Sequence, residues 1–440
     1  MNYPVIDKNI LLKKKGNSGA IFSIYGDHIG HLNETGCFIW GFLNGMNSKQ
    51  KIVDEIMKEY QIEKKSAEKE LESFLEQLKD KRLLIDISAL RELCFAVTGR
   101  CNLKCKHCFA KDTWGNVDLS TEEILEIADQ IIEAGVKSVS LFGGETLLRE
   151  DIFTIIERFK GHPVHLSVNT NATLISDEMA ERFKRVGIKV FIVSLDGASS
   201  KIHDKQRGQG SFDKTMEGIK NLLKYDRSVT ISFIVTKINE KEIEKIAELG
   251  CFLGVSGVRF NHIMHTGNAI CYENEIFIDP VKDVQNCKRV YKLNQEYGDF
   301  ISGSYLQEYE KIQKIDKHKI EKDRIKVNPC GAAVNRCAIR PDGWVVPCEV
   351  MWEAKAGNIR ETKLVDIWKS SELLNEFRVV RYIDLKEFPQ CSGCEYQYLC
   401  FHGHRCAPYY YPGGLDNRKL YCYREYGGFN LSKDVKGGQG

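Results

Sequence analysis

The sequence predicts an α/β chain in three parts, with a barrel of parallel strand and helix units at its centre. Three observations carry this. Strands alternate with helices from about Leu93 to Met264, a short mixed unit precedes them, and the segment after Cys330 is crowded with cysteine, glycine and turn residues. At 440 residues the chain exceeds one ordinary core, so two or three domains are expected.

Residues 1–85 read as a separate unit. A β-like run from Ala20 to Tyr25 leads into NETGCFIWGFLNG, where Asn33 is placed to cap a short helix and Gly45 to end it. Ser48 caps the next segment, Lys49 to Tyr60, which sets Ile52, Ile56 and Met57 on one face, and Lys64 to Lys81 repeats the helical period. From Leu93 the rhythm changes. LCFAVTG is a strand, Ser120 and Glu123 form a capping box for a helix ending near Gly135, and VKSVSLFGG is the next strand. The alternation continues through HLSVNTN, a helix from about Asp177 to Arg185, KVFIVSLDG, a helix from about Phe212 to Lys224, VTISFIVTK, a helix from about Glu240 to Leu249, and VRFNHIM. Repeated parallel units of this kind place chemistry on the loops at the strands' C-terminal ends, where the cysteine loop, GGET, NTNAT and SLDG all fall. Residues 90–275 form this unit; residues 276–329 bridge to a loop-rich module at 330–440, held by metal more than by an apolar core.

The 63 basic and 61 acidic side chains nearly cancel, which argues against a nucleic-acid-binding surface. No stretch approaches a membrane span and the N-terminus has no long apolar segment, so a cytoplasmic protein with no membrane partner is expected. Of the sixteen cysteines, Cys37, Cys94, Cys251, Cys271 and Cys287 stand singly and read as small buried hydrophobes. The other eleven form two groups, three at 101–108 and eight between Cys330 and Cys422, and in a reducing compartment metal binding is the default for such groups.

CNLKCKHC offers three thiols and no fourth ligand at an obvious spacing. A structural zinc site would require His107 to coordinate from between Cys105 and Cys108, which strains the loop. A cubane iron–sulfur cluster bound by three thiolates explains the deficit better, because its fourth iron stays open.

Here the sequence resembles the radical S-adenosylmethionine (radical SAM) enzymes. Cys101-x3-Cys105-x2-Cys108, with His107 at the family's aromatic-type position, is similar to their cluster signature. The resemblance implies a partial (β/α)6 TIM-like barrel, S-adenosyl-L-methionine on the open iron, and a 5′-deoxyadenosyl radical formed by one-electron cleavage. Gly143-Gly144-Glu145 resembles the family's turn for the cofactor's amino group, with Thr146 in place of the usual proline, a change expected to loosen the turn. Ser194 and Arg207 resemble the positions that hold the methionyl carboxylate, and Asn171 is implied near the cofactor.

The C-terminal cysteines resemble the SPASM extension of that family, which implies two auxiliary [4Fe-4S] clusters and three in all. By analogy Cys330, Cys337, Cys348 and Cys406 hold the first and Cys391, Cys394, Cys400 and Cys422 the second. Cys406 lies six positions after Cys400 where the family commonly has four, so His402, His404 or an open position remain alternatives for the first cluster's last ligand, and two zinc sites fit these eight spacings almost as well.

Residues 16–83 resemble a PqqD-like, winged-helix-like recognition element, which binds a leader peptide as an added strand. Together these resemblances imply a maturase of ribosomally synthesised precursor peptides that forms a thioether or carbon–carbon cross-link, supplied by a low-potential donor of flavodoxin or ferredoxin type. A formylglycine-generating dehydrogenase and a non-catalytic peptide-binding scaffold with structural metals are the competing readings.

Overall fold

A computed structural model describes residues 4–6, 10–23, 28–44, 47–81, 83–85, 90–110, 118–264, 266–313, 324–326, 330–379 and 382–384. Cys391, Cys394, Cys400, Cys406 and Cys422, together with His402 and His404, lie outside the described residues.

The first unit has its own core. Strands β1 (Val5–Ile6), β2 (Ile10–Lys15), β3 (Ser18–Ser23) and β4 (His28–Leu32) precede helices α1 (Glu34–Trp40), α2 (Lys49–Tyr60) and α3 (Lys64–Asp80), and β5 (Leu84–Ile85) returns to pair with β1. β2, β3 and β4 form an antiparallel sheet in that order, packed through Ile21 on Ile39, Ile52, Ile56 and Leu71. Asn33 caps α1 by accepting from the Gly36 amide at 2.8 Å, and Ser48 caps α2 by accepting from the Lys51 amide at 3.1 Å. α1 stops at Gly41, four residues before the glycine expected to end it. The chain turns there so that Leu43 enters the core and its carbonyl accepts from the Ile6 amide at 2.9 Å, which ties the helix to β1.

The central unit runs β6 (Glu92–Thr98), α4 (Thr121–Glu133), β7 (Ser138–Gly143), α5 (Ile152–Arg158), β8 (His165–Thr170), α6 (Asp177–Val186), β9 (Val190–Ser194), α7 (Ser200–Arg207), α8 (Ser211–Lys224), β10 (Ser228–Val235), α9 (Ile243–Leu253) and β11 (Gly257–His262). α10 (Asn268–Cys271), α11 (Glu273–Ile276), α12 (Pro280–Tyr297), β12 (Ile301–Ser302) and α13 (Ser304–Gln313) follow. The Ser120–Glu123 capping box opens α4 as the sequence predicts. Strands β6 to β11 are parallel and paired in sequence order, giving the radical SAM-type α/β barrel.

The sheet does not stop at β6. After β13 (Arg324–Lys326), β14 (Arg336–Ile339) adds parallel to β6, and β15 (Trp344–Val346) and β16 (Gly357–Asn358) extend the same sheet antiparallel, so the start of the cysteine-rich region is built onto the barrel wall. α14 (Leu364–Ser370), α15 (Glu372–Val379) and β17 (Tyr382–Asp384) close the described chain. Among the described residues no helix is long and apolar enough to cross a membrane.

Alternation sorts each barrel strand into two faces. Leu93, Phe95, Val97, Val139, Leu141, Val168, Phe191, Val193, Ile231 and Phe233 are buried in the layer between sheet and helices. The opposite face carries Ser140, Ser167, Asn169, Ser194, Ser232 and Asn261, all half-buried. A closed TIM barrel fills its interior with branched apolar side chains. Here serine and asparagine side chains that keep part of their surface interrupt that apolar packing.

Phe183 anchors the helical layer, with ring centroids 4.9 Å from both Phe153 and Phe191. Phe183→Ala is expected to cost about 3–5 kcal/mol in a denaturant melt, by loss of burial and creation of a cavity.

Candidate active site

The cysteine loop follows β6 and is pinned from both sides. At its start Asp118 accepts from the Thr98 hydroxyl at 2.5 Å and from the Gly99 amide at 2.8 Å. Gly144 donates to the Thr98 carbonyl at 2.8 Å and Glu145 to the Arg100 carbonyl at 2.7 Å. A Cβ on Gly143 would stand 2.3 Å from the Thr98 oxygen and one on Gly144 2.1 Å from the Arg100 oxygen, so the two glycines are what lets the turn after β7 lie against the residues leading into Cys101. On the far side, the Asn268 amide donates to the Cys108 carbonyl at 2.9 Å, and Gly267, at φ +63°, passes so close to Phe109 that a Cβ would sit 2.4 Å from its oxygen.

Glu145 is 1% exposed, and its carboxylate accepts from the Thr170 hydroxyl at 2.7 Å, the Asn171 amide at 2.8 Å and the Leu147 amide at 3.1 Å. Burial raises its pKa against those bonds, so the carboxylate acts as a clamp joining the ends of β7 and β8. Thr146 does not loosen the turn, because its hydroxyl donates to the Asn169 carbonyl at 3.0 Å, a bond that proline lacks. Asn171 donates to Asn102 at 2.8 Å and accepts from the Thr173 amide at 2.9 Å, while Asn102 donates to the Thr173 hydroxyl at 2.8 Å. NTNAT is thereby bonded to the residue after Cys101. Ser194 ends β9, paired with Ser232.

Arg207, the last residue of α7, is buried. It pairs with Asp196, and its Nη1 lies 3.7 Å from Cys105 Sγ while its Nη2 lies 3.3 Å from His107 Nε2. Asp196 is fully buried, accepts from the Ile234 amide at 2.8 Å and stands 3.4 Å from His107 Nε2. Burial opposes its charge, yet the net pKa falls below the ordinary value because Arg207 and the Ile234 amide favour the carboxylate. Burial lowers His107 to about 4, so the ring is neutral, and its Nδ1 is buried with no partner among the described residues.

The cysteine loop, Gly143, Asn171 and Ser194 thus stand at the C-terminal ends of four consecutive strands, with Arg207 behind Cys105. As free thiols the loop cysteines resist ionisation: burial pushes Cys101 up to about 11 and Cys108 up to about 12. A bound metal offsets that cost. The donor set fits a three-thiolate cluster site: three thiols on one loop, a guanidinium beside the buried one, and glycines that open the adjoining turn. Among the described residues no three Cys, His, Asp or Glu side chains are placed to hold a single metal ion.

Sequence reasoning missed Asn102, Asp118, Asp196 and Asn268. Asp196 lay inside SLDG, and its signal is a carboxylate at a strand end facing an arginine one helix later; Asn268 follows Gly267 in the loop after β11.

The auxiliary cysteines divide. Cys330 and Cys348 are half-buried, whereas Cys337 lies 1% exposed within the main core. It pairs with Leu93 and so faces the helices, while Cys348 contacts Arg336 at 3.4 Å on the other face. Cys330 and Cys348 both pack against the core that contains Cys337.

Comparison with known proteins agrees with this geometry. Residues 95–250 match the Radical SAM superfamily, residues 20–84 coenzyme PQQ synthesis protein D (PqqD), and residues 330–395 the SPASM iron–sulfur cluster-binding domain. The chain thus carries a radical SAM unit with a PqqD unit before it and a SPASM unit after it. Among curated proteins it is 28% identical over 350 residues to an AdoMet-dependent heme synthase of Methanosarcina barkeri, covering 76% of this chain and 97% of that one. It is 26% identical to the mycofactocin maturase MftC of Mycolicibacterium smegmatis, covering 78% and 85%. Streptococcus suis SuiB bound to its precursor peptide SuiA shares the fold, with a TM-score of 0.56 at 18% identity over 85% of this chain and 90% of that one.

Gly144→Ala is expected to displace the Arg100 carbonyl and lower iron retained after anaerobic reconstitution several-fold, with an unchanged far-UV circular dichroism spectrum; full iron content would show that the loop tolerates the shift. Asp196→Asn leaves Arg207 buried without its counter-charge and is expected to cost about 3–5 kcal/mol in urea unfolding.

Proposed function

We propose that the chain is a peptide maturase that installs an oxidative intramolecular cross-link, a thioether or a carbon–carbon bond, in a ribosomally synthesised precursor bound through its leader. The observation that carries this reading is the union, in one chain, of a PqqD unit with its own core and a radical SAM barrel whose inner face carries half-buried serine and asparagine side chains beside Phe142, Ile192 and Ile234. The PqqD sheet has outer strands at β2 and β4 to which an extended leader can add, and the attached core peptide is then presented to the barrel at high effective concentration.

Inside the barrel, Ser140, Ser167, Asn169, Ser194, Ser232 and Asn261 offer donors and acceptors for a peptide backbone, and the apolar group of Phe109, Phe142 and Trp352 borders them. S-adenosyl-L-methionine and the clusters, when bound, supply hydrogen-atom abstraction and take up the second electron of the oxidation. His107, Gly143, Gly144, Glu145, Asn171, Ser194 and Arg207 are the cofactor's proposed surroundings. Cys101, Cys105 and Cys108 hold the radical cluster, and the cysteines from Cys330 onward hold two auxiliary ones. A flavodoxin- or ferredoxin-type donor in the cytoplasm delivers the reducing electron. Net reaction joins two substrate atoms with loss of two hydrogens.

A tetrapyrrole-directed reaction is the second reading, favoured by the similarity to the heme synthase. An anionic macrocycle would find Arg259, exposed on the inner face of β11. The PqqD unit gives that reading no role.

Incubation of the reconstituted protein with S-adenosyl-L-methionine, reductant and the short peptide encoded beside its gene is expected to yield a peptide lighter by two hydrogens, localised by fragmentation between two residues. Deoxyadenosine without any change in the peptide would reject the cross-link. Deleting residues 1–85 is expected to weaken leader binding at least tenfold while sparing slow uncoupled deoxyadenosine formation; undiminished leader affinity would remove the recognition role.

A further inference from the structure

Arg259 is the third residue of β11 and the one exposed residue of that strand. Val258 and Phe260 on either side of it are fully buried against the helices, so Arg259 projects from the inner face of the sheet. That face is otherwise nearly free of charge. From β6 to β12 the only other Lys, Arg, Asp, Glu or His side chains on it are Glu92 and His165, which begin β6 and β8 at the end away from the cysteine loop.

Register places Arg259 in a row of hydroxyls. Ser194 of β9 is opposite Ser232 of β10, Ser232 is opposite Arg259, and Arg259 is opposite Ser302 of β12. Paired residues of neighbouring parallel strands point to the same face about 4.8 Å apart, so four adjacent strands bring three hydroxyls and one guanidinium side by side. Ser194, Ser232 and Ser302 are half-buried, and Asn261, the next inner residue of β11, turns its side-chain nitrogen to the Ser232 hydroxyl at 3.5 Å. Arg149, Arg207, Arg289, Arg336 and Arg340 each hold a carboxylate of this chain. Arg259 holds none among the described residues.

A guanidinium offers a carboxylate a planar fork of donors, and hydroxyls beside it can serve the remaining lone pairs. We propose that Arg259, with Ser232 and Ser302, binds a carboxylate of the core peptide, an acidic side chain or the C-terminus, and so sets which peptide residue is presented to the cysteine loop. This rests on the peptide-maturase reading. The cofactor's carboxylate is the poorer match: Gly144, Asn171 and Arg207 lie between β7 and the end of α7, whereas Arg259 stands two ladder steps, about 10 Å, beyond Ser194.

The test compares Arg259→Gln with the unaltered full chain, both reconstituted, on three synthetic forms of the short peptide encoded beside the gene: unmodified, with a C-terminal amide, and with the Asp and Glu residues of its core replaced by Asn and Gln. Arg259→Gln is expected to raise KM for the unmodified peptide about tenfold or more, to leave KM for S-adenosyl-L-methionine and uncoupled deoxyadenosine formation as they were, and Arg259→Lys to recover part of the loss. Because Arg259 is exposed, both variants are expected to keep the far-UV circular dichroism spectrum. With the unaltered protein one of the two modified peptides is expected to show the same rise, and with Arg259→Gln no further one; the peptide that does so identifies the carboxylate. Full peptide affinity in Arg259→Gln, or losses that multiply for both modified peptides, overturns the assignment while the maturase stands. A rise confined to KM for S-adenosyl-L-methionine moves Arg259 to the cofactor and overturns it equally. An unaltered protein that forms deoxyadenosine but leaves every peptide unchanged overturns the maturase reading, and the assignment with it.

Discussion

The buried ion pair between Asp196 and Arg207 is the constraint on which the site depends. Two charges withdrawn from water cost several kcal/mol each, and the pair is stable only where further bonds satisfy both partners. The chain supplies them: the Ile234 amide and the His107 ring face Asp196, while Arg207 reaches Cys105 and His107. Satisfying the pair thus requires the cysteine loop, the end of β9, the end of α7 and β10 to meet at one point. Asp196 and Arg207 are brought there by a tight return, in which the Asp196 amide donates to His203 Nδ1 at 3.1 Å and Asp204 accepts from the Gly210 and Phe212 amides. A loop carrying three thiols has no apolar core of its own, and its position is borrowed from this ion pair and from the glycine turn after β7.

Much of the fold was legible because its signals are local. Capping residues at Asn33, Ser48 and Ser120 and strict alternation in β10 mark elements by short-range physics, and all appear in the structure. The helix that carries Arg207 was not legible: α7 has eight residues, begins at a serine that makes no side-chain cap, and ends at Gly208 with φ +131°. Such a helix is held by tertiary bonds from His203 and Gln206, which periodicity does not reveal.

The site residues divide on the same line. Cys101, Cys105, Cys108 and the glycine turn are visible as spacing, since their function requires neighbours in sequence. Asp196, Asn102 and Asn268 act across strands, and their partners are distant in the chain. Cys337 and Cys94 show the limit most sharply. Counting cysteines along the chain groups Cys337 with Cys330 and Cys348 and leaves Cys94 alone. The pleat adds what counting lacks: Cys337 and Ala338 occupy opposite faces, and register sets Cys94 beside Ala338.

That register bears on how the barrel and the start of the cysteine-rich region are joined. Had the region from Cys330 folded as a separate module, the distance between its cysteines and the loop of Cys101 would be set by a flexible linker. Instead β14 is a ladder partner of β6, the strand that leads directly into Cys101. One backbone therefore fixes both ends: the strand bearing Cys94 continues into the radical loop, and its neighbour leads through β15 to Cys348. The separation between the two thiol groups is then a property of a parallel strand pair.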